Sequence, residues 1–378
     1  MKFRRMENID IDVSVLGFGC MRLPVIKGDA ARIDKDEAKK MLYYSLDHGV
    51  NYVDTAFPYH QGESEGFVGE ALQGGMREEV FLATKMPTWL VKTAEDFEKY
   101  LDEQLKKLKT EQIDFYLLHG LNQERWQNVQ QLDVFSFLEK AVKKGKIRFP
   151  SFSFHDEVGV FKEIIDAYPW CMSQIQLNYM DEEYQAGLEG LKYAEDKGIP
   201  VVVMEPLRGG KLAQRVPDEI VKVWEKNSTD MTPAEWAFKW VYSYANVKSV
   251  LSGMSTMEQV KENVEIFKRS KPNALTSNEK EIIEEVKAIY RSRMASDCTR
   301  CGYCLPCPSG VKIPEVLEAY NNATMYNIPK DQSIEYKFLM EQGASALECT
   351  ECGQCESVCP QDINIREAVK EAHNRLVS

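Results

Sequence analysis

The chain has 378 residues, of which 44% are hydrophobic and 28% charged, and its formal net charge is −12 at pH 7. This length suits one large domain plus a small module, and the negative charge argues against nucleic acid or an anionic membrane as a partner, because both bind basic surfaces. Since no run of 18 apolar residues occurs and no apolar segment follows the basic N-terminal residues, we expect no membrane association and a cytoplasmic protein.

The first 275 residues alternate between short strand-like runs and amphipathic helical segments, a pattern typical of βα units. Segment 6–19 predicts a small hairpin ahead of the first of these runs. The predicted strands lie at 16–21, 51–56, 80–85, 113–119, 147–154, 172–179, 200–205 and 248–253. Eight strands, each followed by a helix, predict an α/β fold, the (β/α)8 TIM barrel, in which catalytic residues lie at the carboxyl ends of the strands.

Polar side chains stand at the ends of three neighbouring predicted strands. Asp54, Lys85 and His119 close the second, third and fourth strands, and Tyr59 follows five residues after Asp54. A phenol has a pKa near 10, so we expect Lys85 to favour ionisation of Tyr59 and Asp54 to keep Lys85 charged. Tyr59 and His119 together then form a candidate proton-delivering pair. Taken singly, each residue also has a structural interpretation, such as a helix cap, an ion pair or a core histidine.

These four residues resemble the Asp, Tyr, Lys and His tetrad of the aldo-keto reductase family. The similarity extends over about the first 270 residues and includes "DTAFPYHQGESEGFVGEAL" after strand two and "MSTMEQVKENV" after strand eight. The resemblance implies an oxidoreductase that reduces a small carbonyl compound with nicotinamide hydride from NAD(H) or NADP(H). It also implies that Tyr59 is the general acid.

The cofactor positions match the family less closely. The resemblance places Ser153 and Gln174 at the nicotinamide carboxamide, but Phe154 stands where the family has Asn and Met204 where many members have a stacking Tyr. In the loop "LRGGKL", the phosphate-cradling candidates are the backbone of Gly209 and Gly210, with Arg208 or Lys211 as a cation.

The loop after the eighth strand bears on the choice of dinucleotide. Many family members hold the adenosine 2′-phosphate there with a Lys and an Arg, and Gly253 and Gln259 take those places here. Without the two cations a 2′-phosphate loses charge-assisted hydrogen bonds, so we expect NADH to be favoured over NADPH. Ser255, Gln259 and Asn263 remain candidates for hydrogen bonds to the adenosine.

Two tryptophans follow the candidate tetrad in the chain. Trp89 lies four residues after Lys85, and Trp126 lies seven residues after His119. Each has two interpretations, the lining of an apolar substrate pocket and packing between loops. The sequence does not identify the substrate.

Ten cysteines occur, and eight of them lie within residues 298–359. Because no export signal is recognised, we expect the eight to bind metal rather than form disulfides. Cys20 and Cys171 stand alone in apolar segments and are interpreted as small buried hydrophobic residues.

The eight cysteines form two motifs, each closed by Cys-Pro. Triplets with this spacing bind [4Fe–4S] clusters, and the Cys-Pro thiolate usually ligates the other cluster. The crossing rule predicts two sites, although the first motif is one residue short before Cys307. One site takes Cys298, Cys301, Cys304 and Cys359, and the other takes Cys349, Cys352, Cys355 and Cys307. Zinc in four-thiolate sites is the alternative.

The segments around the cysteines are helical in pattern. Residues 313–327 and 363–376 have helical spacing, which resembles an α-helical ferredoxin-like domain. We therefore expect a barrel over 1–275, a linking helix over 276–296 and a domain with two [4Fe–4S] clusters over 297–378.

Three functional hypotheses remain open from the sequence. The first is a nicotinamide-dependent carbonyl reductase whose clusters relay electrons, sense redox state or support structure. The second is a ferredoxin-linked reductase, supplied by a redox partner protein, whose clusters pass single electrons to a substrate or flavin in the barrel, although no flavin motif is visible. The third is a non-enzymatic electron carrier that keeps the barrel as a scaffold.

Overall fold

The computed structural model describes residues 1–214, 216–227, 230–328 and 333–377, which form two compact units. The first unit comprises Met1–Gly209 and Glu235–Thr276. The second comprises the described residues of Gly210–Ala234 and Ser277–Ser378. Among the described residues, no helix is long and apolar enough to span a membrane.

A closed parallel barrel forms the first unit. Its strands, in the order β10-β3-β4-β5-β6-β7-β8-β9, close through the pairing of β9 with β10. The strands are β3 Leu16–Gly19, β4 Tyr52–Asp54, β5 Phe81–Met86, β6 Ile113–Leu121, β7 Ile147–Phe154, β8 Met172–Gln176, β9 Val201–Met204 and β10 Val247–Ser252. The eight-stranded barrel predicted from the alternating pattern is confirmed. Several strands are shorter than predicted because their last residues leave the sheet and begin the loops of the barrel mouth.

Helices follow the barrel strands and form the second unit. The described helices are α1 Lys35–Asp47, α2 Ser64–Ala71, α3 Ala94–Lys107, α4 Gln123–Gln131, α5 Val134–Lys143, α6 Val158–Ala167, α7 Gly187–Asp196, α8 Asp218–Lys226, α9 Pro233–Tyr242, α10 Met257–Lys268, α11 Ser277–Ser292, α12 Ile313–Met325, α13 Ile334–Glu341 and α14 Ile365–Val377. Local signals set their ends: the Asp34 carboxylate accepts a hydrogen bond from the Glu37 amide and caps α1. Gly198, at a φ of 70°, follows α7.

A two-stranded antiparallel hairpin covers the amino-terminal end of the barrel. It consists of β1 Phe3–Met6 and β2 Ile11–Ser14. Met6 and Val13 belong to the same apolar cluster as barrel residues such as Tyr52 and Phe115. The Arg4 guanidinium donates hydrogen bonds to backbone carbonyls between the end of α9 and the start of β10, including that of Tyr244 at 2.8 Å. The hairpin thus packs over this end, and the loops that follow the carboxyl ends of the strands form the mouth of the barrel.

The second unit has a small core between α12, α13 and α14. Its fully buried side chains include Leu317, Tyr336 and Ala372, and six cysteines pack against this core while partly exposed. Most of the chain around the cysteines is turn rather than helix or strand. Because so small a core buries little apolar surface, metal ligation is a natural additional source of stability.

Candidate active site and cysteine cavities

The barrel brings Asp54, Lys85 and Tyr59 together around one ammonium group. The Lys85 Nζ lies 2.7 Å from Asp54 Oδ1, 2.8 Å from the carbonyl oxygen of Thr55 and 3.4 Å from the Tyr59 hydroxyl. Lys85 is fully buried and Asp54 is 2% exposed. All three donor directions of the ammonium are therefore used, and the phenol hydroxyl is one of its contacts.

His119 lies against the Tyr59 ring in an edge-on arrangement. The two ring centroids are 6.3 Å apart with the planes at 82°, and Lys85 Nζ lies 4.9 Å from the Tyr59 centroid. Tyr59 sits on a tight turn in which His60 and Gln61 have φ values of 53° and 55°. The four residues singled out from the sequence therefore form one contiguous group at the barrel mouth.

The Asp54–Lys85 pair is a buried ion pair with opposing electrostatic influences. Burial by itself lowers the pKa of Lys85, but the carboxylate of Asp54 and the neighbouring Tyr59 together raise that pKa above its usual value. Burial also raises the pKa of Asp54, and the ammonium of Lys85 opposes that shift. Since the net pKa of Lys85 is raised despite its burial, the ammonium is charged at neutral pH.

Lys85 favours the ionised form of Tyr59, as expected from the sequence, but burial has the larger effect on the pKa of this phenol. Burial raises the pKa of Tyr59 above 10, and Lys85 offsets only part of this increase. Tyr59 is therefore protonated at neutral pH and has a proton to donate. The nearby ammonium stabilises the tyrosinate only once that proton has left.

His119 is held in its neutral form. Burial lowers the pKa of His119 well below 6.5, and the positive charges of Lys85 and Arg125 act in the same direction. Its Nδ1 atom is buried without a hydrogen-bond partner, whereas its backbone carbonyl accepts from the Thr88 hydroxyl at 2.7 Å. A neutral imidazole beside Tyr59 can hydrogen-bond a substrate oxygen without adding charge.

This lowered pKa predicts a pH dependence of stability. Below a pH of about 6.5 the unfolded chain protonates His119 and the folded chain does not, so the free energy of unfolding should decrease as the pH falls through this range. Denaturant unfolding at pH 7.5 and 5.5 should show a smaller loss of stability in His119→Gln than in the wild type. An equal loss in both proteins would show that His119 does not contribute.

A buried polar network behind Lys85 was missed in the sequence. Glu65, fully buried, accepts hydrogen bonds from Thr84 Oγ1 at 2.7 Å and from Gln104 Nε2 at 2.5 Å. Gln104 also donates to the backbone carbonyl of Lys85 at 3.0 Å and accepts from the Tyr116 hydroxyl at 2.8 Å. The network fixes the backbone that carries Lys85. Its sequence signal was Gln104 itself, a polar residue on the apolar face of α3.

The nicotinamide-side candidates Ser153, Gln174 and Met204 lie on three neighbouring barrel strands. The Ser153 hydroxyl accepts from the Gly120 amide at 2.8 Å, and Gln174 Nε2 approaches the Met204 sulfur at 3.5 Å. Gln174 Oε1 is buried and has no partner, so an acceptor is available for a ligand amide. Phe154 instead packs against Phe161 of α6, with ring centroids 5.2 Å apart, which excludes it from the mouth.

The candidates around the loop after β9 differ from one another in environment. Arg208 Nε lies 3.4 Å from Asp181 Oδ2, so this cation already has a carboxylate partner. Gly209 has a φ of 68° and ends the first segment of the barrel unit, whereas Gly210, at 94°, begins the second unit. Both glycines adopt the left-handed backbone that the residue type favours.

The adenosine-side candidates are engaged within the barrel unit. Gln259 Oε1 accepts from the Ser255 amide at 2.8 Å, and the Ser255 hydroxyl donates to the Arg22 carbonyl at 2.7 Å. Asn263 is buried and donates to the Ser252 hydroxyl at 2.9 Å. These contacts fix the loop after β10, and a bound adenosine would have to share or replace them.

Arg22 is a cation that the sequence interpretation did not single out. A Cβ added at Gly253 would lie 3.2 Å from three carbons of the Arg22 side chain, and one added at Gly209 would lie 3.1 Å from its Nη2. The two glycines thus make room for an arginine between the loops that follow β9 and β10. The signal available was its position directly after the first barrel strand, in "GCMRLP".

The two tryptophans have different roles. Trp126 is fully buried, and its indole nitrogen donates to Glu163 at 2.9 Å, so it packs between loop and helix and does not line a pocket. Trp89 is 39% exposed, and its ring lies 5.1 Å from that of His119. Trp89 therefore contributes an apolar surface beside the tetrad.

The eight clustered cysteines line two separate cavities within the second unit. One is lined by Cys298, Cys301, Cys304 and Cys359. The other is lined by Cys307, Cys349, Cys352 and Cys355. Each cavity therefore contains three cysteines of one motif and the Cys-Pro cysteine of the other, as crossed ligation predicts. This holds also for Cys307, although its motif is one residue short.

The donor geometry bears on zinc and iron–sulfur ligation. Across the described ranges, no three Cys, His, Asp or Glu side chains converge closely enough to hold one metal ion. A mononuclear zinc site requires such convergence, whereas a cubane distributes four thiolates over four irons. The cavities therefore fit [4Fe–4S] clusters better than zinc.

Comparisons with known proteins identify both parts of the chain. The aldo/keto reductase family model matches residues 15–287, and a 4Fe-4S dicluster domain model matches residues 297–364. An uncharacterised oxidoreductase of Bacillus subtilis, YqkF, is 27% identical over 70% of this chain and 90% of its own length. The NADH-specific methylglyoxal reductase of Escherichia coli is 26% identical over 70% of this chain and 93% of its own.

A solved structure is similar to the barrel. The holo form of the aldo-keto reductase AKR11C1 from Bacillus halodurans has a TM-score of 0.63 and 28% identity, and the match covers 75% of this chain and 96% of that chain.

Proposed function

The chain belongs to the aldo/keto reductase family and carries a C-terminal 4Fe-4S dicluster domain, and from this premise we propose that it reduces a small carbonyl compound at the barrel mouth with hydride from a nicotinamide dinucleotide. The carrying observation is the contact of Lys85 with both Asp54 and Tyr59, with His119 against the same phenol ring. Carbonyl reduction needs one group to protonate the carbonyl oxygen, and the contact of Tyr59 with Lys85 together with its raised pKa supports Tyr59 for that role.

The proton transfer follows from the electrostatics of the site. As hydride adds to the carbonyl carbon, the π electrons move to oxygen, and the Tyr59 hydroxyl transfers its proton to that oxygen to complete the alcohol. The resulting tyrosinate is stabilised by the ammonium of Lys85, which Asp54 keeps charged and in position. Solvent then returns a proton to Tyr59. Neutral His119 donates or accepts a hydrogen bond at the substrate oxygen and helps to orient it.

The residues on the strands beyond β6 fit a nicotinamide dinucleotide. The unpartnered Gln174 Oε1 provides an acceptor for the carboxamide, and Ser153 stands beside it on the neighbouring strand. The bound dinucleotide supplies the hydride. Arg22, between the loops after β9 and β10, is the cation we assign to the dinucleotide phosphates, because barrel enzymes frequently bind phosphate at those two loops.

NADH is the expected reductant. A 2′-phosphate would need cations in the loop after β10, but uncharged Gly253 and Gln259 stand at the expected positions. The Gln259 side chain also accepts a hydrogen bond from the Ser255 amide. The similar Escherichia coli protein is by its name NADH-specific, which supports the same choice. Arg22 is expected to serve the phosphates common to both dinucleotides, so it does not restore a preference for NADPH.

The dicluster domain points to a second redox activity. The two cysteine cavities are assigned to two [4Fe–4S] clusters, which supply one-electron chemistry when bound. These clusters support a second candidate function, that of a ferredoxin-linked reductase that receives single electrons from a partner protein. A hydride carries two electrons, whereas a cubane transfers one. The substrate therefore receives an electron pair as hydride in the first function and single electrons in the second.

An anaerobic turnover assay tests the proposed function. Holoprotein is mixed with NADH or NADPH and a panel of aldehydes, and dinucleotide oxidation is followed together with bleaching of the cluster absorbance. We expect dinucleotide oxidation to depend on the aldehyde and kcat/KM to be higher with NADH. Cluster bleaching by a reduced ferredoxin, with aldehyde reduction only in its presence, would support the second function instead.

A further inference from the structure

Arg125 places an unneutralised cation beside the candidate tetrad. It lies on α4, partly buried, and its Nη1 donates to the backbone carbonyl of Gly120 at 2.8 Å. Gly120 directly follows His119, so the guanidinium is held one residue away from the tetrad. Gly120 has a φ of 59°, and a Cβ there would lie 3.1 Å from the same Nη1. The chain thus has a glycine where the arginine approaches the backbone.

Trp89 connects Arg125 to His119. The guanidinium carbon lies 5.4 Å from the centroid of the Trp89 ring, and this ring lies 5.1 Å from that of His119. Tyr59, His119, Trp89 and Arg125 therefore follow one another in contact along one side of the mouth. Stacking on Trp89 orients the guanidinium and leaves most of its N–H groups free to bind a ligand.

The charge of Arg125 lacks a carboxylate partner in the described part of the chain. No Asp or Glu oxygen there lies within 4.0 Å of its guanidinium nitrogens, whereas Lys85 is paired with Asp54 and Arg208 with Asp181. The nearby Asp156 carboxylate instead accepts hydrogen bonds from the Gln123 and Glu157 amides. The field of Arg125 reaches the site, since it contributes to the lowered pKa of His119.

The position of Arg125 in the barrel separates it from the dinucleotide phosphates. Arg125 follows β6, which is four strands from β10 in the closed eight-stranded order and hence on the opposite side of the mouth. Arg22, Gly209 and Gly253 mark the phosphate side. The guanidinium of Arg125 therefore lies on the side of the mouth that carries His119, away from the phosphate side.

We propose that Arg125 binds the carboxylate of the substrate, which makes the preferred substrate class a short aldehyde or ketone that also carries a carboxylate. The proposal rests on carbonyl reduction at Tyr59. A guanidinium recognises a carboxylate with two parallel N–H donors, and Trp89 covers the intervening carbon atoms. The carboxylate would anchor one end of the substrate while the carbonyl lies against Tyr59 and His119.

The first test compares 4-oxobutanoate with butanal, which has the same chain length but no carboxylate. The ratio of their kcat/KM values is measured in the wild type and in Arg125→Gln, Arg125→Lys and Lys92→Gln. Lys92 is exposed on the loop beyond Trp89 and controls for the loss of one positive charge. We expect the ratio to favour 4-oxobutanoate in the wild type, to fall about 10- to 100-fold in Arg125→Gln, to fall less in Arg125→Lys and to stay unchanged in Lys92→Gln.

Two results in this assay would overturn the proposal. One is an unchanged ratio in Arg125→Gln, and the other is an equal fall in Lys92→Gln, which would reflect net charge alone. Circular dichroism and thermal unfolding of each variant identify any protein that is misfolded. Arg125→Lys is the variant that decides the matter if Arg125→Gln does not fold.

Calorimetric binding of butanoate separates this proposal from the proposed function. If the wild type turns over no carbonyl compound, carbonyl reduction fails, and the proposal for Arg125 is decided by binding alone. We expect the Kd of butanoate to rise about tenfold or more in Arg125→Gln and not in Lys92→Gln. Binding that is equal in all variants, or inorganic phosphate binding as tightly as butanoate, would contradict a carboxylate site.

Discussion

Replacing Tyr59 by Phe is expected to lower kcat for carbonyl reduction by about 10²- to 10⁴-fold, the usual contribution of a general acid. The variant keeps the aromatic ring against His119 and loses only the hydroxyl that lies 3.4 Å from Lys85. Burial raises the pKa of that hydroxyl, so Tyr59 is protonated at neutral pH and has a proton to donate. Steady-state kinetics with NADH and an aldehyde provide kcat, and a fluorescence titration provides the Kd for NADH, which should change little.

Tyr193→Phe is the matched control for this experiment. The Tyr193 hydroxyl also donates a hydrogen bond, to Asp166 at 2.7 Å, but it does so on an exposed helix surface away from the tetrad. Its loss should leave kcat within about twofold of the wild type, because exposed hydrogen bonds contribute little. A Tyr59→Phe protein with rapid turnover would exclude Tyr59 as the acid.

Removal of paired cysteines should reveal which thiolates share a cluster. The cavities predict that Cys359 belongs with Cys301, and Cys307 with Cys352. The wild type should hold about eight irons per chain, and Cys359→Ala about four, since a cubane that loses one of four thiolates is expected to be lost on purification. Adding Cys301→Ala to Cys359→Ala removes a second ligand of the same cluster, so the iron content should stay at about four. Adding Cys352→Ala instead should remove both clusters.

The opposite outcome would contradict crossed ligation. If Cys359→Ala combined with Cys352→Ala retained about four irons, and its combination with Cys301→Ala retained none, each motif would hold its own cluster. Cys171→Ala is the control, because Cys171 lies in the barrel unit and lines neither cavity. Iron and sulfide analysis, with electron paramagnetic resonance of the reduced proteins, provides the measurement.

The fold was predictable because its signals are local and periodic. Each barrel strand is a short apolar run followed by an amphipathic helix, and caps such as Asp34 are visible in the sequence. The strand ends were less predictable. Residues 177–179 were predicted as part of the strand and are buried like it, yet β8 ends at Gln176 and the backbone turns at residues 178–181. An apolar pattern alone does not distinguish a strand from the buried loop that follows it.

The candidate tetrad could be predicted because parallel strands in a barrel bring their carboxyl ends together. The contacts of Arg22, Arg125 and the Glu65–Gln104 pair could not be predicted, because they depend on which loops and helices come together, even where a single residue such as Gln104 gave a local signal. Arg125 is held by the Gly120 carbonyl and the Trp89 ring. No sequence motif links these three residues. The influence of Lys85 on Tyr59 was predicted in the right direction, but the net rise in the Tyr59 pKa was not, because it comes from burial, which the sequence does not measure.

The choice between hydride transfer and single-electron delivery is tested most directly with deuterium. Holoprotein is incubated anaerobically with NADH deuterated at the transferable position and with an aldehyde, and the product alcohol is analysed by mass spectrometry and NMR. Carbonyl reduction at Tyr59 by hydride predicts one deuterium on the new carbinol carbon, formed far more slowly in Tyr59→Phe. A product whose carbinol hydrogen comes from solvent would contradict the account, since it would show that electrons and protons reach the substrate separately.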